Sequence, residues 1–157
     1  MGLYVRVFCK SEIVPTPRAA FEAANQSETV FALKDNSLLD DPSWKQINLT
    51  FTPNNSWALL ECDRRNDLTG TDLVVAEIQE FSEFIGPAGK SKNKKIILEH
   101  LQATRFIVSC QLPFNYSAEL WGAVERLLDH VVAHHQGMLQ VDNVGIFLDE
   151  RLAWESD

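Results

Sequence analysis

From Leu3 to Lys10 the chain alternates, with Leu3, Val5, Val7 and Cys9 on one side and Tyr4, Arg6, Phe8 and Lys10 on the other. Successive strand side chains point to opposite faces, so this period of two predicts a first strand. Pro15-Thr16-Pro17 then places an N-cap threonine before a proline at the first helical position, where no N–H is needed. A short helix is predicted over residues 18–26, with Ala20, Phe21 and Ala24 as its apolar stripe. Residues 29–34 read as a second strand that Asp35-Asn36-Ser37 ends, and the acidic, proline-bearing residues 38–43 read as a loop.

Ile47, Leu49 and Phe51 alternate with Asn48, Thr50 and Thr52, and Pro53-Asn54-Asn55-Ser56 is strong turn chemistry before a returning strand over residues 57–63. Val74, Ile78, Phe81 and Ile85 recur at helical spacing within residues 72–85. Residues 86–95 form a loop rich in Gly and Lys, followed by a short helix at 96–103 and a strand at 105–111. Ser117 caps the longest predicted helix, which runs to about Gln136 with Leu120, Val124, Leu127, Leu128 and Val131 on one face. Gly137 is placed as its left-handed stop. Residues 138–141 and 146–148 read as a hairpin about Asp142-Asn143, and 150–157 as a polar tail.

The order is β-α-β-β-β-α, then α-β-α-β-β. In both halves a strand ends in Cys (Cys9, Cys110) and is followed by a proline-bearing loop, a helix and a hairpin. This order predicts the α+β class, a mostly antiparallel sheet with helices packed on one face, built from a duplicated βαββ unit. The 157 residues suit a single domain, with pseudo-repeat halves at 1–86 and 95–150 joined by the Lys-rich loop 86–95.

Composition narrows the class of function. At 45% apolar and 23% charged the chain is of ordinary globular type. The start carries no basic run before an apolar stretch, which predicts no signal peptide. Gly2 does not make a myristoylation site, because Arg6 stands where that motif takes Ser or Thr. No apolar run approaches the roughly 20 residues of a membrane helix. Three Cys without a CxxC pair suit reduced thiols and a cytoplasmic protein. The net charge of −8 disfavours nucleic acid, whose phosphates must be met by Lys and Arg, and suits a basic protein partner.

Candidate chemistry is thin. Gly86-Pro87-Ala88-Gly89-Lys90-Ser91 ends like a phosphate-binding loop, but Phe84 occupies the position of its first Gly and a helix, not a strand, precedes it. His130 and His134 are four apart on one helix, a spacing that brings two imidazoles to one metal ion. Neither HExxH nor CxxC supplies a third ligand, and the last helical turn itself favours a partly protonated His. Cys9, Cys62 and Cys110 fall towards strand ends; a thiol with His100 as base is one arrangement, small buried hydrophobes the other. The acidic groups, Asp35 with Asp40 and Asp41 and Asp142 with Asp149 and Glu150, do not follow a calcium-loop pattern. Trp44, Trp57, Trp121 and Trp154 are the aromatic anchors a partner or a second copy of the chain would meet.

The stretch from Asp129-His130 through His134-His135-Gln136-Gly137-Met138-Leu139-Gln140-Val141-Asp142 to Gly145-Ile146-Phe147 resembles the C-terminal ends of small bacterial proteins known as domains of unknown function. That resemblance implies no activity and no catalytic residue. The order of elements is also similar to the duplicated βαββ domains of the effector-binding type, an analogy of architecture alone.

The sequence therefore predicts a non-catalytic protein-binding domain, regulatory or immunity-like, that engages a basic protein through acidic surface and an exposed aromatic. Trp44, Trp57, Trp154 and Asp142 are its candidate binding residues. The alternative is an effector-type small-molecule binder whose cleft lies where helices meet the sheet, lined by Trp and Phe and carrying an acidic group. A third reading is a hydrolase using His130 and His134 or a Cys. No cofactor is expected, and a homodimer is compatible with the exposed aromatics.

Overall fold

The computed structural model describes residues 2–25, 30–33, 36–65, 72–86 and 91–156. One antiparallel sheet holds β1 (Gly2–Cys9), β2 (Phe31–Leu33), β3 (Gln46–Phe51), β4 (Ser56–Arg64), β5 (Phe106–Pro113), β6 (Gly137–Val141), β7 (Gly145–Leu148) and β8 (Arg151–Glu155). Their order across the sheet is β2-β3-β4-β5-β1-β6-β7-β8. The helices among the described residues are α1 (Pro17–Ala24), α2 (Leu73–Ile85), α3 (Lys92–Ala103) and α4 (Ala118–His134). This is the antiparallel α+β class that the sequence predicts. No helix among the described residues is long and apolar enough to cross a membrane.

The helices lie on both faces of the sheet, not on one. Val5, Val7 and Cys9 turn into a core cluster with α1 and α4, whereas Phe8 turns into a second cluster with α2 and α3. Ile107, Met138 and Ile146 join Phe8 on that second face. Strands that are apolar on both parities are covered on both sides, and this is the signal that the centre of the sheet carries.

Why α1 and α4 share a face follows from topology. β1 leads through α1 to β2, and β5 through α4 to β6; each connection joins parallel strands, because the intervening pairings are all antiparallel. Such crossovers are right-handed. β1 and β5 run in opposite directions and their crossovers leave in opposite directions along the sheet, so both helices land on the same face, where they pack together. The halves share an order of elements but not a pairing. The first half's meander joins the centre by its last strand, β4, and the second half's by its first, β6. β1 is thereby enclosed between β5 and β6.

Capping explains the helix starts. The Ser117 hydroxyl accepts from Leu120 N at 3.1 Å, Asp72 accepts from Val74 N and Val75 N, and Ser91 accepts from Lys94 N. α3 consequently starts at Lys92, well before Ile97, the first residue of its buried stripe. Residues 36–40 form a 3-10 turn within the predicted loop, and the predicted polar tail contains β8. At the end of α4 the left-handed residue is Gln136 (φ 50°), not Gly137. Gly137 opens β6, and a Cβ there would lie 2.4 Å from Val7 Cγ1 and 2.9 Å from Val132 Cα, so close approach of helix and strand requires glycine. Residues 87–90, the middle of the Gly-Lys-Ser loop, and Asp35 lie outside the described residues.

Candidate functional site

α4 packs on β1 and β6, and a cleft of about 1050 Å³ opens beside it over β6 and β7. Trp121, Glu125, Leu128 and Val132 reach it from one stripe of α4, next to the fully buried stripe of Leu120, Val124, Leu127 and Val131. Residues three and four apart on a helix share a face, so this second stripe is a consequence of α4's 3.6-residue period. Leu139 and Val141 of β6 and Phe147 of β7 form the opposite wall. The cleft continues around the end of β6 to Lys10, Ile96 and His100.

Its rim is acidic. Glu125 and Asp129 stand on α4, and Asp149 and Glu150 form the two-residue turn between the paired Leu148 and Arg151. Both turn residues have positive φ, 48° and 65°. Two-residue hairpins favour that conformation with Asn-Gly, so Glu150 carries a backbone penalty of about 1–2 kcal/mol in the left-handed region. Burial, then Glu125, then Glu150 push the Asp129 carboxyl above its ordinary range. Charges on α4 and on the β7–β8 turn therefore feel one another across the cleft mouth.

A second polar group lies on the opposite face of the sheet. A cross-strand row runs Gln46, Glu61, Ser109, Arg6, Gln140, Ile146 and Trp154 from β3 to β8. At its centre Arg6 Nη1 donates to Gln140 Oε1 at 2.9 Å and to Asp142 Oδ1 at 2.8 Å. Arg6 Nε stands 3.2 Å from Glu77 Oε2 of α2, an ion pair without the alignment of a hydrogen bond. The guanidinium also lies over the Tyr4 and Phe81 rings at 5.1 and 5.3 Å. Burial is the first cause raising the Tyr4, Glu61, Asp63 and Glu77 groups, with Arg6 opposing it at Tyr4, Glu61 and Glu77.

The candidate residues read from the sequence are scattered. Trp44 is a correction: it is buried in the larger cluster, and its indole Nε1–H donates to Pro15 O at 2.8 Å. The acidic loop before it suggested exposure, but a backbone carbonyl satisfies the one polar atom of the ring. Trp154 is half-buried against the second cluster on β8, not on a free tail. Trp57 is 46% exposed on β4. Asp142 belongs to the Arg6 group. His130 and His134 lie side by side with ring centroids 4.3 Å apart, and among the described residues no group of three or more His, Cys, Asp or Glu is placed to hold a metal ion. All three Cys are buried; burial pushes Cys62 up to about 11 and Cys110 up to about 12, and Cys9 well above its ordinary range. Thiols so held are poor nucleophiles. The sequence reading missed Glu125, Asp129 and Phe147 as neighbours. Only the spacing of Trp121, Glu125, Leu128 and Val132 along α4 hinted at them.

Histidines and carboxyls oppose each other in pH dependence. Burial first, with Lys10 adding and the 2.7 Å contact to Phe8 O opposing, holds His100 below 6.5. Burial is also the first cause holding His130 and His135 down. The unfolded chain takes up these protons before the fold does, so stability is lost as pH falls through 6.5. The raised Glu61, Asp63, Glu77 and Asp129 bind protons in the fold first, so stability returns at lower pH, above their ordinary range of about 4. Thermal melts should show Tm falling between about pH 7.5 and 6 and levelling or recovering near pH 5. A Tm that climbs steadily as pH falls from 7.5 to 6 contradicts this account.

No protein-family model, curated protein or solved structure matches the chain. What the fold defines is a class, a single antiparallel sheet layered between two helix pairs.

Proposed function

We propose that this chain is a non-catalytic binding domain whose ligand, a small molecule with an apolar body, occupies the cleft between α4 and the β6–β7 hairpin. The cleft itself carries the reading. At about 1050 Å³ it lies just above the size typical of ligand sites, roughly 300–1,000 Å³, and it joins apolar walls to a charged rim. Its floor lies against Val5 and Leu128, which are themselves buried in the core. The burial of all three thiols favours binding over cysteine-based catalysis.

The neutral dye Nile red should bind one saturable site, and Val132→Trp, which fills the cleft from α4, should weaken it about tenfold, or about 1.4 kcal/mol. Absence of saturable binding by the wild-type chain, or full affinity in a folded Val132→Trp variant, would remove the reading. A second reading, docking of a basic protein, is favoured by one observation. Trp57 stands exposed with Gln46 and Asn48 on the part of the sheet that also carries Glu61 and Asp63.

A further inference from the structure

We infer that the cleft selects an organic cation: a tertiary or quaternary ammonium, or a comparable lipophilic cation, on an aromatic or aliphatic body. The inference rests on the cleft being the ligand site and adds the chemistry of its occupant.

Charge complementarity within an apolar groove is the argument. Glu125, Asp129, Asp149 and Glu150 all line the cleft, and among the described residues lining it Lys10 is the sole Lys or Arg. None of the four carboxylates has an ion-pair partner among the described residues. Two arginines adjoin these carboxylates in sequence: Arg126 donates through Nε and Nη2 to Ala24 O at 3.4 and 3.2 Å, tying α4 to α1, and Arg151, exposed on the edge strand, is not among the residues lining the cleft. By contrast, the carboxylates of Glu77 and Asp142 on the other face share the Arg6 guanidinium. The carboxylates around Arg6 thus have a cation among them, whereas the four at the cleft mouth have no ion-pair partner among the described residues.

Like charges held together repel: after burial, it is Glu125 and then Glu150 that push the Asp129 carboxyl up. A cation between α4 and the β7–β8 turn relieves that repulsion, by an attraction that solvent and salt screen because the four carboxylates are exposed. Trp121 and Phe147 sit on the two walls below this rim. They offer aromatic faces to the ligand's body and cation–π attraction to its charge. A neutral ligand gains from the walls alone, and an anion meets four uncompensated carboxylates.

Tetraphenylphosphonium and tetraphenylborate, nearly equal in size and opposite in charge, test this by isothermal titration on the full chain. The phosphonium should bind about tenfold tighter or more, and the double variant Glu125→Gln/Asp129→Asn should lose about tenfold of its affinity while gaining some for the borate. Nile red binding should be unchanged in that variant, which shows that fold and cleft persist. Equal affinity for the two ions alongside intact Nile red binding overturns cation selection and leaves the cleft as a site. Phosphonium affinity that the double variant does not alter also overturns it, because the ion then sits elsewhere on the acidic surface. Failure of both ions and of Nile red overturns this inference and the proposed function together.

Discussion

Phe8→Ala lowers the unfolding free energy by about 3–5 kcal/mol, the range for removing a fully buried aromatic. Phe8 has no exposed surface and meets Phe81 edge to face, with centroids 5.4 Å apart at 77°. It belongs to the smaller of the two core clusters, which holds α2 and α3 on the sheet, and few neighbours there can close over the space it leaves. Its carbonyl also accepts from His100 of α3, so strand and helix are joined at this residue twice. In a domain of ordinary stability, about 5–15 kcal/mol, the loss is a large share of the total. A urea titration reads it as a fall in midpoint with an unchanged slope. A loss under about 1 kcal/mol would mean that the second face contributes little.

Arg6→Met costs about 2–3 kcal/mol, below the 3–5 kcal/mol of a wholly buried pair and above the 0–1 of a surface pair. The side chain of Arg6 is 16% exposed and those of Glu77 and Asp142 are 32% and 34%, which places the group between those limits. The loss arises mainly from the partners, since Glu77 and Asp142 keep their charge and lose the group that answers it. Glu77→Gln in the same chain should therefore recover part of the loss, and a double-mutant cycle by urea unfolding reads that coupling. Additive costs from the two substitutions would contradict the ion pair as its source.

Period was the most legible signal in the sequence. The β3–β4 hairpin and α4 are visible because each buries one regular stripe, and Asn54 and Asn55 supply the turn. β8 was not visible: Arg151-Leu152-Ala153-Trp154-Glu155 lies at the sheet edge, half-exposed, and an edge strand shows little apolar patterning. Helices on both faces escaped notice because Tyr4, Arg6 and Lys10 make the Phe8 side of β1 read as polar, although Phe8 itself is buried there. Trp44 illustrates the limit of local composition, since its hydrogen-bond acceptor, Pro15, lies far along the chain. The cleft was hidden for the same reason. Glu125 and Asp129 are visible as a spacing on α4, but their approach to Glu150 depends on the register of β6, β7 and β8.

The enclosure of β1 has a consequence for how the protein is made. Of the eight strands of this sheet β1 is synthesised before the rest, yet its hydrogen-bonding partners are β5, from Cys9↔Phe106 to Gly2↔Pro113, and β6, from Cys9↔Gly137 to Val5↔Val141. No strand of the first half satisfies it. At roughly 5–20 residues per second, β1 waits several seconds for its neighbours, while β2, β3 and β4 can already pair. During that interval Val5, Val7 and Phe8 form an unpaired apolar strand, the kind of segment chaperones recognise and aggregation recruits. Closing the largest loops last makes the final step slow by topology.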